Sequence, residues 1–282
     1  MKIVFSTKNV SRGTFLDTCR YAFDYGFKGF EIYDAVKERN FHHDSILRRD
    51  RMADAKRKLV NRNLAVSALR MPEAVDGENT TADMVVKYIE MAATAGVSNV
   101  IVRVDKAVSF DVLDALIESE WHECRLCALV ILVNKFRKMP DEVVEFYLSH
   151  TAWINNWDLV DLSAPYVLGA WLADKTDRSI LYSLAQSDNM WEQRIAVVST
   201  LMLIRKGQFN DTVALAEYFF DTKHDLMRKA VGWMLREVGK RDHALLVGFL
   251  ETHRCRIPRT TLRYAIERFT PEQRAYFMKN KH

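Results

Sequence analysis

Several things are scarce in this chain, and each shortage excludes a class of protein. Four cysteines in 282 residues are too few for a disulfide framework. Five prolines and ten glycines exclude collagen-like and low-complexity sequence. The longest apolar stretch, Leu162–Ala173, runs for twelve residues, whereas a bilayer span needs about 20. Met1-Lys2 is followed by only Ile3-Val4-Phe5, which is not the apolar region of a signal peptide. Glycine-rich phosphate loops, dinucleotide fingerprints and His-Glu-x-x-His are also missing. The expectation is a cytoplasmic protein with no membrane segment, no metal and no cofactor.

What is present is a globular composition: 49% hydrophobic, 28% charged and 11% aromatic. At about 150 residues per domain, one or two domains can each bury a core. The net charge of +4 conceals an asymmetry. Residues 1–107 hold 18 Lys/Arg against 14 Asp/Glu, residues 108–189 hold 6 against 13, and residues 190–282 hold 17 against 10. The basic excess at the C-terminal end fits a polyanionic partner, although a solvated helix surface has the same signature.

Two periodicities divide the chain. Residues 1–107 alternate strand and helix patterns: strands at Lys2–Ser6, Gly29–Tyr33, Leu64–Leu69 and Asn99–Val104, with helices at Thr14–Tyr25, Asp50–Asn61 and Thr81–Ala95. Thr80 and Thr81 are candidate caps for the last of these. Strand–helix repetition predicts a parallel α/β layer. From residue 108 to 282 the strand signal disappears and helices follow one another, including one long helix over Trp157–Ala173. Ala128, Ala164, Ala196, Ala230 and Ala265 recur inside apolar helices at spacings of 36, 32, 34 and 35 residues. A small residue recurring once per helix pair is what a stack of HEAT-like superhelical repeats needs, because it lets neighbouring helices approach closely.

The chemistry-bearing residues are few. Cys124-Arg125-Leu126-Cys127 is a lone C-x-x-C inside an amphipathic helix and reads as core thiols. His42-His43 reads as a solvated loop. The unusual feature is tryptophan beside carboxylate and guanidinium. Trp157 and Asp161 stand at i and i+4 on one helix face, while Trp191/Arg194 and Trp233/Arg236 stand at i and i+3. Any single Trp is more often a core anchor than a site residue. Three such segments in successive layers point instead to one groove.

Three segments carry a resemblance: Trp157-Asp158-Leu159-Val160-Asp161, Ser187-Asp188-Asn189-Met190-Trp191-Glu192-Gln193-Arg194, and Lys229-Ala230-Val231-Gly232-Trp233-Met234-Leu235-Arg236-Glu237. In order and spacing, residues 108–279 resemble the DNA alkylation repair enzyme family, the AlkD-like HEAT-repeat DNA glycosylases. The resemblance implies excision of N3- or N7-alkylated purines from double-stranded DNA. It implies Asp161 as the catalytic carboxylate, with Trp157 and Trp233 around the lesion. It further implies Arg194, Arg236, Trp191 and Lys229 as DNA-binding residues. A purine alkylated at these positions is already cationic and needs no general acid to leave. A carboxylate stabilises the developing sugar cation, and each indole face adds roughly 0.5–2 kcal/mol of cation–π attraction.

Residues 1–105 resemble something else. Lys2-Ile3-Val4-Phe5-Ser6-Thr7 and Gly26-Phe27-Lys28-Gly29-Phe30-Glu31-Ile32 are similar to the first half of a sugar-phosphate isomerase (xylose-isomerase-like) TIM barrel, with Glu31 as its one acidic strand-end residue. The expected architecture is therefore two-part: an α/β half TIM barrel of four βα units over 1–107, then an all-α repeat domain over 108–282. An uncovered half barrel implies a homodimer or a cover from the helical part. The functional alternatives are a non-catalytic DNA-binding or scaffold repeat protein and a sugar-phosphate isomerase-like enzyme.

Overall fold

The computed structural model describes residues 4–7, 14–33, 51–75, 82–104 and 108–279. His42, His43, Thr80 and Thr81 lie outside these residues. The chain forms two compact units, residues 1–124 and 125–282.

In the first unit, strands β1 (Val4–Ser6), β2 (Gly29–Tyr33), β3 (Ala65–Val75) and β4 (Val100–Val104) form a parallel sheet in sequence order. Helices α1 (Phe15–Asp24), α2 (Met52–Val60) and α3 (Ala82–Ala95) fall between the strands, and α4 (Phe110–Ile117) follows. Thr14 and Asp17 form a capping box that starts α1. Gly26 and Gly96 take φ of 74° and 67° after α1 and α3, where a side chain would be strained. Phe15, Phe30, Ile32, Leu69 and Tyr88 are fully or almost fully buried, with the Phe15 and Phe30 rings edge-on at 5.9 Å.

The expected half TIM barrel is corrected here. β1 pairs through three residues only. Pairing slips in register at Phe30/Glu31 between β2 and β3, and between Arg70 and Ala74 on β3 against β4. A barrel wall needs a constant stagger from strand to strand, so that tilt and curvature accumulate evenly. These strands form a small irregular sheet instead, and most of the chain is helical. Glu31 is not poised at an open strand end, because its carboxylate pairs with Arg70 Nε at 2.9 Å. With no half barrel, the homodimer expected through it loses its basis.

The second unit, with the end of the first, holds α5 (His122–Lys135), α6 (Pro140–Ser149), α7 (Trp157–Ser163), α8 (Ala170–Leu172), α9 (Ser179–Ala185), α10 (Met190–Arg205), α11 (Asn210–Tyr218), α12 (Asp225–Gly239), α13 (His243–Thr252), α14 (Arg259–Ala265) and α15 (Pro271–Met278). Thr270 and Gln273 form the capping box of α15, and Gly207 follows α10 at φ 74°. The long helix expected over 157–173 is broken. Pro165 has no N–H to offer the Asp161 carbonyl, and the chain widens into a π-helical turn over Pro165–Gly169. The Gly169 N–H reaches back five residues to Ala164 O, at 2.9 Å.

The five spaced alanines are all buried, but glycines and hydroxyls make the closest approaches. A Cβ on Gly169 would overlap the Ser199 carbonyl, and one on Gly232 would overlap Thr261 and Tyr264. Ser199 Oγ donates to Ala164 O at 3.3 Å, and Thr261 Oγ1 donates to Arg228 O at 3.1 Å. These bonds stitch α10 to the turn after α7, and α14 to α12.

Candidate active site

Asn156 caps α7 by accepting from the Trp157 N–H at 2.8 Å. That fixes Trp157 in the first turn and Asp161 one turn later on the same face. Asn189 caps α10 in the same manner through the Trp191 N–H, placing Arg194 in the second turn. Arg194 and Asp161 then meet across the two helices. Arg194 Nε reaches Asp161 Oδ1 at 3.0 Å and Nη2 reaches Oδ2 at 2.9 Å, a bidentate pair. The third arm, Nη1, donates to Leu226 O at the start of α12, at 2.6 Å.

The burial of the two partners differs. The Arg194 side chain is 6% exposed and that of Asp161 is 21% exposed. The guanidinium is thus a buried tie among α7, α10 and α12, while the carboxylate keeps a face open. Burial pushes the Asp161 carboxyl above the ordinary carboxylate value. The Arg194 hydrogen bonds and charge pull it back down, and Asp158 on the same helix adds a small upward push.

The open face of Asp161 looks into a cavity of about 290 Å³ lined by Trp157, Asp161, Arg194, Leu226, Lys229, Trp233, Arg236 and Tyr264. Trp157 is 53% exposed, unusual for an indole without a surface role. Trp233 is half-buried, and its Nε1–H donates to Glu237 at 3.3 Å. Lys229 Nζ pairs with Asp225 at 2.6 Å on the exposed side of α12, and that partner raises its pKa. Arg236 is 19% exposed and pairs with Glu267.

Six of the seven site residues expected from sequence therefore surround one space. The seventh, Trp191, is not among the residues lining the cavity; its backbone is spent on the α10 cap. Sequence reasoning missed Tyr264 and Leu226. The signal for Tyr264 was present: it precedes Ala265 as Lys229 precedes Ala230, so the repeat puts the two in equivalent places on adjacent helices. The C-x-x-C helix lends no residue to this cavity; Cys124 is buried and Cys127 partly so. Among the described residues no group of three or more His, Cys, Asp or Glu is arranged to hold a metal ion, and no helix is long and apolar enough to cross a membrane.

A larger cavity of about 600 Å³ lies at the loops around Arg178, Tyr182 and Asp211. Its carboxylate is taken up by Arg178 at 2.7 Å and by the Tyr182 hydroxyl at 2.9 Å, and no indole lines it. Size favours this second cavity, whereas chemistry favours the one at Asp161.

The DNA alkylation repair enzyme family model matches residues 93–269, well over half of the chain. The chain belongs to the DNA alkylation repair enzyme family. All three segments that carried the resemblance, and every residue lining the cavity at Asp161, fall inside the matched span. A solved structure described as a predicted DNA alkylation repair enzyme from Enterococcus faecalis is also similar. It shares 21% identity over 56% of this chain and 74% of its own, with a TM-score of 0.46. No curated protein matches the chain.

Proposed function

We propose that the protein is a DNA glycosylase that releases cationic N3- or N7-alkylated purines from duplex DNA. The observation that carries this reading is the meeting of Asp161, Trp157 and Trp233 around one cavity. The lesion brings its own positive charge, so cleavage needs stabilisation of a sugar cation more than protonation of a leaving group. An ionised Asp161 supplies the counter-charge and can orient water. The half-exposed indole of Trp157 and the ring of Trp233 supply faces for a cationic base or sugar.

Arg194 has a positioning role in this mechanism. Its bidentate grip aims the carboxylate and holds it in the charged form. Lys229, half-buried on the cavity rim and paired only with an Asp225 carboxylate that is itself solvent-exposed, is a cation that can turn to a phosphate. Arg236 is already paired with Glu267 in the turn that follows α14. The helix pairs are read as HEAT-type repeats that present this wall to the duplex.

The test is base release from N7-methylguanine duplex DNA in single turnover. The wild type is expected to release base, and Asp161→Asn to lose about 10²–10³-fold, the usual effect of removing one charge-stabilising group. Circular dichroism checks that the variant folds. Salt-sensitive DNA binding with no base released by the wild type would establish the scaffold alternative instead.

A further inference from the structure

We propose that Glu237 is a positioning residue that sets the ring of Trp233 in the cavity wall. The kinetic consequence rests on the glycosylase reading above; the structural one rests on geometry alone.

An indole has one polar point, its Nε1–H, and that group fixes how the ring can turn. In Trp233 it donates to Glu237 Oε1, one turn further along α12, at 3.3 Å. An exposed pair at this spacing would be a loose surface contact. Here the Glu237 side chain is only 13% exposed, one cation bonds the same oxygen, and a second stands nearby without bonding it. Lys240 Nζ lies 2.6 Å from Oε1 and Arg236 Nε lies 3.9 Å from it. Arg236 is itself anchored to Glu267, just beyond α14. The acceptor is thus already bonded to a cation, with a second charge close by, before it meets the indole.

The ring needs such a tie. The second side-chain torsion of tryptophan is broad, and the adjoining cavity of about 290 Å³ has room for an indole to swing inward. A ring turned into the cavity would occupy the space intended for the nucleotide. A displacement of about 1 Å at a reacting centre can cost on the order of a hundredfold in rate.

The experiment pairs indole NMR with single-turnover base release. The six tryptophans give six indole N–H signals, and Trp233→Phe identifies the one belonging to Trp233. In Glu237→Ala that signal is expected to move and its solvent exchange to quicken, while the other five stay. Base release from N7-methylguanine duplex is expected to fall about tenfold, consistent with a misplaced ring, with DNA affinity unchanged. Glu237→Gln keeps an acceptor oxygen and is expected to restore both the signal and most of the rate. A Trp233 signal indifferent to Glu237→Ala would overturn the proposal, and so would a Gln variant that restores neither. If the signal responds as expected but the wild type releases no base, the positioning stands and the glycosylase reading fails.

Discussion

The two units hold their charges together in different ways. In the first, three of the ion pairs are local and solvated: Asp17 with Arg20, Asp54 with Arg57, and Asp54 with Lys58, each one turn apart on a single helix. Arg70–Glu31 joins two strands. In the second unit local pairs recur, among them Lys229–Asp225 and Lys240–Glu237, but further pairs join segments more than thirty residues apart. Asp161–Arg194 spans 33 residues, Arg178–Asp211 spans 33 and Lys206–Asp174 spans 32. The hydroxyl bonds Ser199–Ala164 and Thr261–Arg228 span 35 and 33. A local pair decorates a helix that packing has already formed. A pair one repeat apart fixes how adjacent layers sit, and it brings chemistry from separate helices to one place.

That contrast ranks the expected consequences of breaking individual ties. Arg194→Ala should have the largest effect. It strips the half-buried carboxylate of its partner, costing up to the roughly 3–5 kcal/mol of a fully buried pair. It also drives the Asp161 carboxyl further toward the neutral form, so base release should be lost well below the denaturation midpoint. Chemical denaturation and single-turnover kinetics read the two parts separately. Gly232→Ala should follow. A methyl there meets Thr261 and Tyr264, and overpacking of this kind costs about 1–3 kcal/mol. A variant as stable as wild type would show that α12 and α14 are not in close contact.

The pH dependence sharpens the same contrast. Burial raises the Asp161 carboxyl above its ordinary value of 3.8. The catalytic form is the ionised one, so base release should fall as pH drops through that raised value, by about tenfold per unit below it. The acid limb should therefore lie above pH 3.8 and move higher still in Arg194→Lys, which cannot form the bidentate pair. Lys229→Ala should weaken DNA binding and reduce the salt slope by about one, with little effect on single-turnover rate at saturating enzyme. At the small end, Asp54→Ala in α2 removes two exposed pairs. It should shift stability by less than about 0.5 kcal/mol and leave base release untouched.

The sequence exposed these two modes of organisation unequally. The helical character of the second unit was legible in its apolar periodicity, and the spaced residues Ala164, Ala196, Ala230 and Ala265 are all buried. Gly169 and Gly232, which allow the closest passes, were hidden because a glycine inside an apolar helix carries no period of its own. That Trp157, Asp161, Arg194 and Trp233 would line one cavity was legible in their i to i+3 and i+4 spacings, which put them on common helix faces. Which guanidinium would be spent on the carboxylate was not legible, since pairing across helices depends on tertiary register. The same limit misled the reading of the first unit. Strand–helix alternation identified β1 to β4, but the slips at Phe30/Glu31 and after Arg70 have no sequence signal that separates a small irregular sheet from a barrel wall. The helix expected over 157–173 overlooked Pro165, whose effect is the wide turn that follows Asp161.

The central claim is that a carboxylate tied from behind, with indoles beside it, acts on a base that already carries positive charge. Two duplexes of identical sequence test it, one with N7-methylguanine and the other with neutral hypoxanthine at the same position. Release of the charged base alone, slowed about 10²–10³-fold by Asp161→Asn, is the predicted result. Release of both bases at comparable rates, or undiminished release by the variant, would contradict it.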